Sequence, residues 1–176
     1  MRHVPNILSA ARLLAAPYVF VLLATGQHRA ALVWMFLIGA TDGLDGYIAR
    51  RFQATSRFGA LLDPVADKVL LSGSFLTLGL TGAIPVWLTW LVLGRDLLIL
   101  LFAAFVLASS KAPRDLSPTL AGKLSTAFQI LYVLLVTGSQ AGWIPAFFPD
   151  FGEWVVLAVT GWSSVDYARR GLSRQG

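Results

Sequence analysis

Six apolar runs, each close to the length of a membrane-crossing helix, limit what this chain can become. They cover about Ile7 to Thr25, Ala30 to Ile48, Phe58 to Leu80, Val86 to Ala108, Pro118 to Thr137 and Phe151 to Ala168. A helix of roughly 20 apolar residues crosses the hydrocarbon of a bilayer. The runs are continuous rather than alternating, which argues against a barrel of strands. Turn residues break them: Gly26, Gly82 with Pro85, Pro113 with Pro118, and Gly142 through Pro149. The expected fold is all-α: a polytopic membrane protein of six transmembrane helices, forming a single domain over residues 1–176. Only 13% of the residues are charged, where a soluble domain carries about 25%.

The basic residues orient the spans. With both termini on one side, that side receives Arg2, Arg50, Arg51, Arg57, Lys111, Arg114, Arg169, Arg170 and Arg174. The other side receives Arg29, and its last loop carries Asp150 and Glu153. This asymmetry predicts cytoplasmic termini, because positive loops stay inside. It also accounts for the net charge of +5 without nucleic acid, for which no arginine–aromatic patch or zinc spacing is present. There is no cysteine, so disulfides, thiolate chemistry and cysteine metal sites are excluded. The N-terminus lacks the layout of a cleaved signal, since Pro5-Asn6 precede a run that contains Arg12. The six tryptophans lie mostly near span ends, as interface anchors do. Ser72, Gly73 and Gly79 read as small residues that let helices approach. His3 and His28 have no ligand spacing.

Between the second and third runs lies DGLDGYIARRFQATSRFGALLDPVAD, Asp42 through Asp67. Asp42 and Asp45 are three apart and Asp63 and Asp67 four apart, so on a helix each pair shares a face. Ionisable groups beside a span are costly, which makes them candidates for function. Four carboxylates close together need neutralising. Hard divalent cations do this, and magnesium also takes phosphate oxygens. Two such ions suit displacement at phosphorus. Arg50, two turns from Asp42, is placed to meet a phosphate. The plainer alternative makes these aspartates helix caps or ion-pair partners, as Asp63 before Pro64 would allow.

The stretch resembles the CDP-alcohol phosphatidyltransferase family. That family carries D-x2-D-G-x2-A-R-x8-G-x3-D-x3-D, matched here by Asp42, Asp45, Gly46, Ala49, Arg50, Gly59, Asp63 and Asp67. PNILSAAR (Pro5 to Arg12) and LDPVADK (Leu62 to Lys68) extend the likeness. The resemblance implies transfer of a phosphatidyl group from CDP-diacylglycerol to an alcohol, with release of CMP. It implies Asp42, Asp45, Asp63 and Asp67 as ligands of magnesium or manganese, two ions in all. Asp67 would also act as the catalytic base. Gly46, Arg50 and Gly59, with Ser56, would hold the CDP moiety. A homodimer is implied as well. A bacterial plasma membrane is the expected location, with the active site facing the cytoplasm because the basic side of the chain carries the aspartate stretch.

The acceptor is read from deeper charges. Arg95, beside Asp96 in the fourth run, and Lys123 in the fifth would bind a phosphate on the acceptor. The simpler readings are a neutralised Arg95–Asp96 pair and a snorkelling Lys123. RFGALLDPVADKVL resembles phosphatidylglycerophosphate synthases, whereas LSPTLAGKLSTAFQ, Leu116 to Gln129, resembles CMP-forming cardiolipin synthases. Glycerol 3-phosphate is the expected acceptor and phosphatidylglycerol the alternative, with inositol phosphate also phosphate-bearing. A cation transporter or channel would spread acids along a pore, but here four of nine crowd together. A noncatalytic scaffold would not need the full pattern.

Overall fold

The computed structural model describes residues 4–52, 59–108 and 120–172, with side chains over 12–41, 67–101 and 120–167 and at Arg169. Among the described residues there are six helices and no strand. They are α1 (Val4–Ala24), α2 (His28–Phe52), α3 (Gly59–Leu80), α4 (Val86–Ala108), α5 (Leu120–Gln140) and α6 (Phe147–Leu172). The fourth run and α4 coincide. Helix α3 lies within the third run, whereas α1, α2, α5 and α6 each extend past their apolar segment at one end or both. The backbone of α2 continues past Ile48 through the arginines to Phe52, and α6 begins four residues before Phe151. Hydropathy marks where a helix is apolar, whereas its hydrogen-bond ladder runs on until turn chemistry stops it.

Three helical hairpins result, α1–α2, α3–α4 and α5–α6. Each first helix ends on a glycine in the left-handed region: Gly26 at φ 75°, Gly82 at 74° and Gly142 at 76°. A side chain there would strain the backbone. Paired reverse bonds close the caps. Gln27 N–H donates to Leu22 O at 2.8 Å, Ala83 N–H to Leu78 O at 2.9 Å and Trp143 N–H to Gly138 O at 2.9 Å. The second and third turns share the sequence Gly-x-Ile-Pro. The three turns cluster at one end of the bundle, where Arg29 Nε donates to Ala141 O at 3.2 Å and Gly82–Pro85 face Pro149 across a cavity. Val4, Phe52, Gly59 and Leu172 therefore lie toward the opposite end.

Helix α1 packs along α3 and against α2, and α5 packs along α6. The core lies toward the turn end and joins Val19, Leu23, Phe75, Leu78, Leu88, Val92, Val136 and Val156. Small residues set the spacing, as expected from Gly73 and Gly79. A Cβ at Gly73 would stand 2.1 Å from Phe20 Cζ, and one at Gly79 2.3 Å from Thr89 Oγ1 and 3.1 Å from its Cβ. Thr89 is buried and β-branched, so it has little room to turn away. Gly79→Ala is expected to destabilise the bundle by about 1–3 kcal/mol, the usual cost of overpacking. Thr89→Ala in the same chain should recover most of this. Thermal melts of the single and double variants check it.

All six helices expose large apolar side chains, among them Leu14 (80%), Phe36 (75%), Leu80 (80%), Leu98 (69%), Leu120 (69%) and Phe147 (70%). Among the described residues, one helix, Leu120–Gln140, is long and apolar enough by composition to cross a membrane.

Candidate active site

The backbone brings the aspartate positions to comparable depth at the end opposite the turns. Asp42 and Asp45 lie ten and seven residues from the end of α2 at Phe52, roughly 15 and 10 Å along its axis. Asp63 and Asp67 lie four and eight residues into α3, roughly 6 and 12 Å. Each pair keeps the helical spacing expected of a shared face. The helix entering this region is already polar but satisfied. Thr41 Oγ1 donates to Leu37 O at 2.7 Å. The side chains of Asp42, Asp45, Gly46, Arg50, Gly59 and Asp63 lie outside the described residues, and so does Ser56 entirely.

Asp67 is described, and its neighbour was not anticipated. Arg12 Nη1 donates to Asp67 Oδ1 at 2.5 Å. The Arg12 side chain is 5% exposed and that of Asp67 57%. Arg12 lies eight residues into α1 and Asp67 eight into α3, so the parallel helices bring them level. A buried guanidinium needs an anionic partner, and helix depth was the signal that would have found it. Here α1 supplies the counter-charge to the acid-bearing face of α3.

A second charge cluster sits beside the first. Lys68 follows Asp67 in sequence, and its Nζ lies 2.7 Å from Asp96 Oδ2, an ion pair not aligned as a hydrogen bond. Arg95 Nη1 donates to Asp96 Oδ1 at 2.7 Å. Arg95 Nη2 donates to Ser163 Oγ at 2.6 Å. The guanidinium carbon stands 5.8 Å from the Tyr167 ring centroid. Arg95 and Asp96 are 6% and 3% exposed, and Arg95 Nε has no partner among the described residues. One buried carboxylate thus holds two cations from α3 and α4. The polar seam continues between α5 and α6, where Gln129 Nε2 donates to Ser125 Oγ at 3.2 Å and Thr160 Oγ1 at 3.3 Å. Lys123 stands apart, exposed on the first turn of α5. Arg95 and Lys123 were expected together. The structure gives Arg95 a buried network and Lys123 an open position.

The donor set along α2 and α3 is four carboxylates, with no thiol or imidazole among them. It suits a hard divalent cation such as magnesium or manganese rather than zinc or copper. The one carboxylate described, Asp67, is open enough to take such an ion.

The family model of the CDP-alcohol phosphatidyltransferases matches residues 2–162. The chain belongs to the CDP-alcohol phosphatidyltransferase family. The match spans α1 to α5, much of α6 and every position of the aspartate pattern. The chain is 32% identical over 172 residues to a cardiolipin synthase (CMP-forming) of Streptomyces coelicolor, covering 93% of this chain and 77% of that one. It is 32% identical over 139 residues to an Aquifex aeolicus protein named CDP-diacylglycerol–glycerol-3-phosphate 3-phosphatidyltransferase, covering 76% and 75%. It is 34% identical over 145 residues to the human cardiolipin synthase (CMP-forming), covering 74% of this chain. The chain spans about half the length of that animal relative, 48%. In CDP-alcohol phosphatidyltransferase terms, the additions made by the structure are Arg12 against Asp67 and the Lys68–Asp96–Arg95 clamp.

Proposed function

We propose that this chain is an integral membrane phosphatidyltransferase that moves a phosphatidyl group from CDP-diacylglycerol to glycerol 3-phosphate and releases CMP. The observation that carries the reading is the family's eight-position pattern in the sequence, together with the match of the family model over residues 2–162. The six-helix bundle exposes apolar side chains on every helix, which suits a lipid surround. Six spans with cytoplasmic termini, in a bacterial inner membrane and with a dimeric assembly, complete the proposal.

Asp42, Asp45, Asp63 and Asp67 would hold the magnesium or manganese ions. When bound, these would polarise the diphosphate and offset its charge. Arg50 would take a phosphate oxygen as the CMP leaves, with Gly46, Ser56 and Gly59 fitting the nucleotide. Asp67 would accept the proton of the attacking hydroxyl, since an alcohol at neutral pH is a poor nucleophile. Arg12 orients that carboxylate through Oδ1. Arg95 would offer Nε to a phosphate on the acceptor, its other nitrogens being held by Asp96 and Ser163, and Lys123 would draw the acceptor in. Phosphatidylglycerol is the second acceptor, favoured by the names of the Streptomyces and human relatives.

The test supplies purified protein with CDP-diacylglycerol and each acceptor, and identifies the lipid by mass. Phosphatidylglycerophosphate is the expected product. Cardiolipin instead would transfer the reading to phosphatidylglycerol, and no lipid product with any alcohol would end it. Excess chelator should abolish turnover and added magnesium restore it. Full activity in chelator would remove the metal from the mechanism.

A further inference from the structure

Two cavities adjoin at the turn end, opposite the aspartate stretch. The first, about 400 Å³, lies between the α3–α4 turn, α5 and the start of α6. Ile84 and Val136 form its apolar wall, and Tyr132, Asp150 and Glu153 its polar one. Tyr132 is 3% exposed, yet its hydroxyl makes no hydrogen bond among the described residues. Its ring cannot swing aside. It stacks on Phe75 with centroids 6.0 Å apart, and its other side meets Gly152, where a Cβ would stand 3.0 Å from Tyr132 Cδ2. Both carboxylates act electrostatically on the phenol. Tyr132 lines the cavity, so its hydroxyl oxygen can accept a hydrogen bond from a donor placed there.

The second cavity, about 420 Å³, is lined by His28, Arg29, Gln140 and Ala141. Gln140 lines both cavities, so they share a wall. Arg29 spends Nε on Ala141 O, and its terminal nitrogens have no partner among the described residues. His28 Nδ1 is buried without one. An acidic cavity thus stands beside a basic one. A bare metal ion would leave most of the first cavity to water, at about 30 Å³ per molecule, and would have no use for its apolar wall or for Arg29. A small group with positive and negative ends matches both. Exposed Trp143, Phe147, Phe151 and Trp154 rim this end, as aromatic residues do at a bilayer surface.

We propose that the turn end is a second ligand site, which takes an ammonium–phosphate zwitterion such as a phosphoethanolamine head group. The ammonium donates to Asp150, Glu153 and the Tyr132 oxygen. The phosphate accepts from Arg29. The site stands independently of the transferase reading.

The full chain is placed in nanodiscs of phosphatidylglycerol, and its thermal midpoint is followed. One arm adds soluble phosphoethanolamine, and the other includes phosphatidylethanolamine in the bilayer. A rise in midpoint in either arm is expected, since a ligand that binds only the folded state stabilises it. A response to the lipid alone assigns the source to the bilayer, and a response to both admits the free head group. Asp150→Asn with Glu153→Gln should weaken the apparent affinity roughly tenfold or more, because two ion-paired hydrogen bonds lose the acceptor's charge. Tyr132→Phe keeps the ring packing and should weaken it less, which serves if the double variant melts early in phosphatidylglycerol alone. No midpoint rise in either arm, equal responses from wild type and variants, or protection by calcium chloride alone through the same carboxylates, would overturn the proposal.

Discussion

Asp67→Asn is expected to cut phosphatidyl transfer by about 10²–10⁴-fold, the usual contribution of a positioned base, while CDP-diacylglycerol binding largely persists. The substitution is nearly isosteric, and the amide oxygen can still accept from Arg12 Nη1, so the α1–α3 bond survives. What disappears is the negative charge that takes a proton. The Asp67 side chain is 57% exposed but that of Arg12 is 5%, so some stability should also be lost, because a buried guanidinium exchanges an anionic partner for a neutral one. Single-turnover transfer with a lipid-binding measurement on the same preparation separates the two effects. Normal turnover would take the base role away from Asp67. Equal loss of binding and turnover would make it a binding residue only.

Asp96→Ala should be the most destabilising of the single substitutions, at about 3–5 kcal/mol, the range for removing one partner of a buried pair. The carboxylate holds Arg95 Nη1 at 2.7 Å and faces Lys68 Nζ at 2.7 Å. Without it, a guanidinium whose side chain is 5% exposed would keep, among the described residues, Ser163 and the Tyr167 face. Adding Arg95→Leu should recover part of the loss, because the uncompensated charge goes with it. Denaturation in detergent compares the wild type with the single and the double variant. A cost within about 1 kcal/mol, the level of an exposed pair, would show that Asp96 does not clamp the two cations.

Much of this was legible in the residues. Six helices follow from six apolar runs, because a continuous apolar segment of that length has few ways to satisfy its backbone. The ends at Gly26, Gly82 and Gly142 follow from glycine's access to positive φ. The family follows from spacing, since helical periodicity ties chemistry to intervals of three and four. The helix bounds were less legible. Nothing in the hydropathy of Asp42 to Phe52 says that α2 continues through it, because ladder bonds do not depend on side-chain polarity.

What the chain order alone determined is thus local: which segments are helical, where they turn, and which carboxylates share a face. Contacts between helices distant in sequence needed the tertiary structure, because they depend on helix direction, depth and rotation together. Arg12 met Asp67 only once α1 lay parallel to α3, 55 residues away in sequence. Arg95 was read beside Asp96 from adjacency, but Ser163 and Lys68 joined it through the packing of α3, α4 and α6. The paired cavities at the turn end exist only where three turns converge, and no periodicity in any one helix foretells their charges.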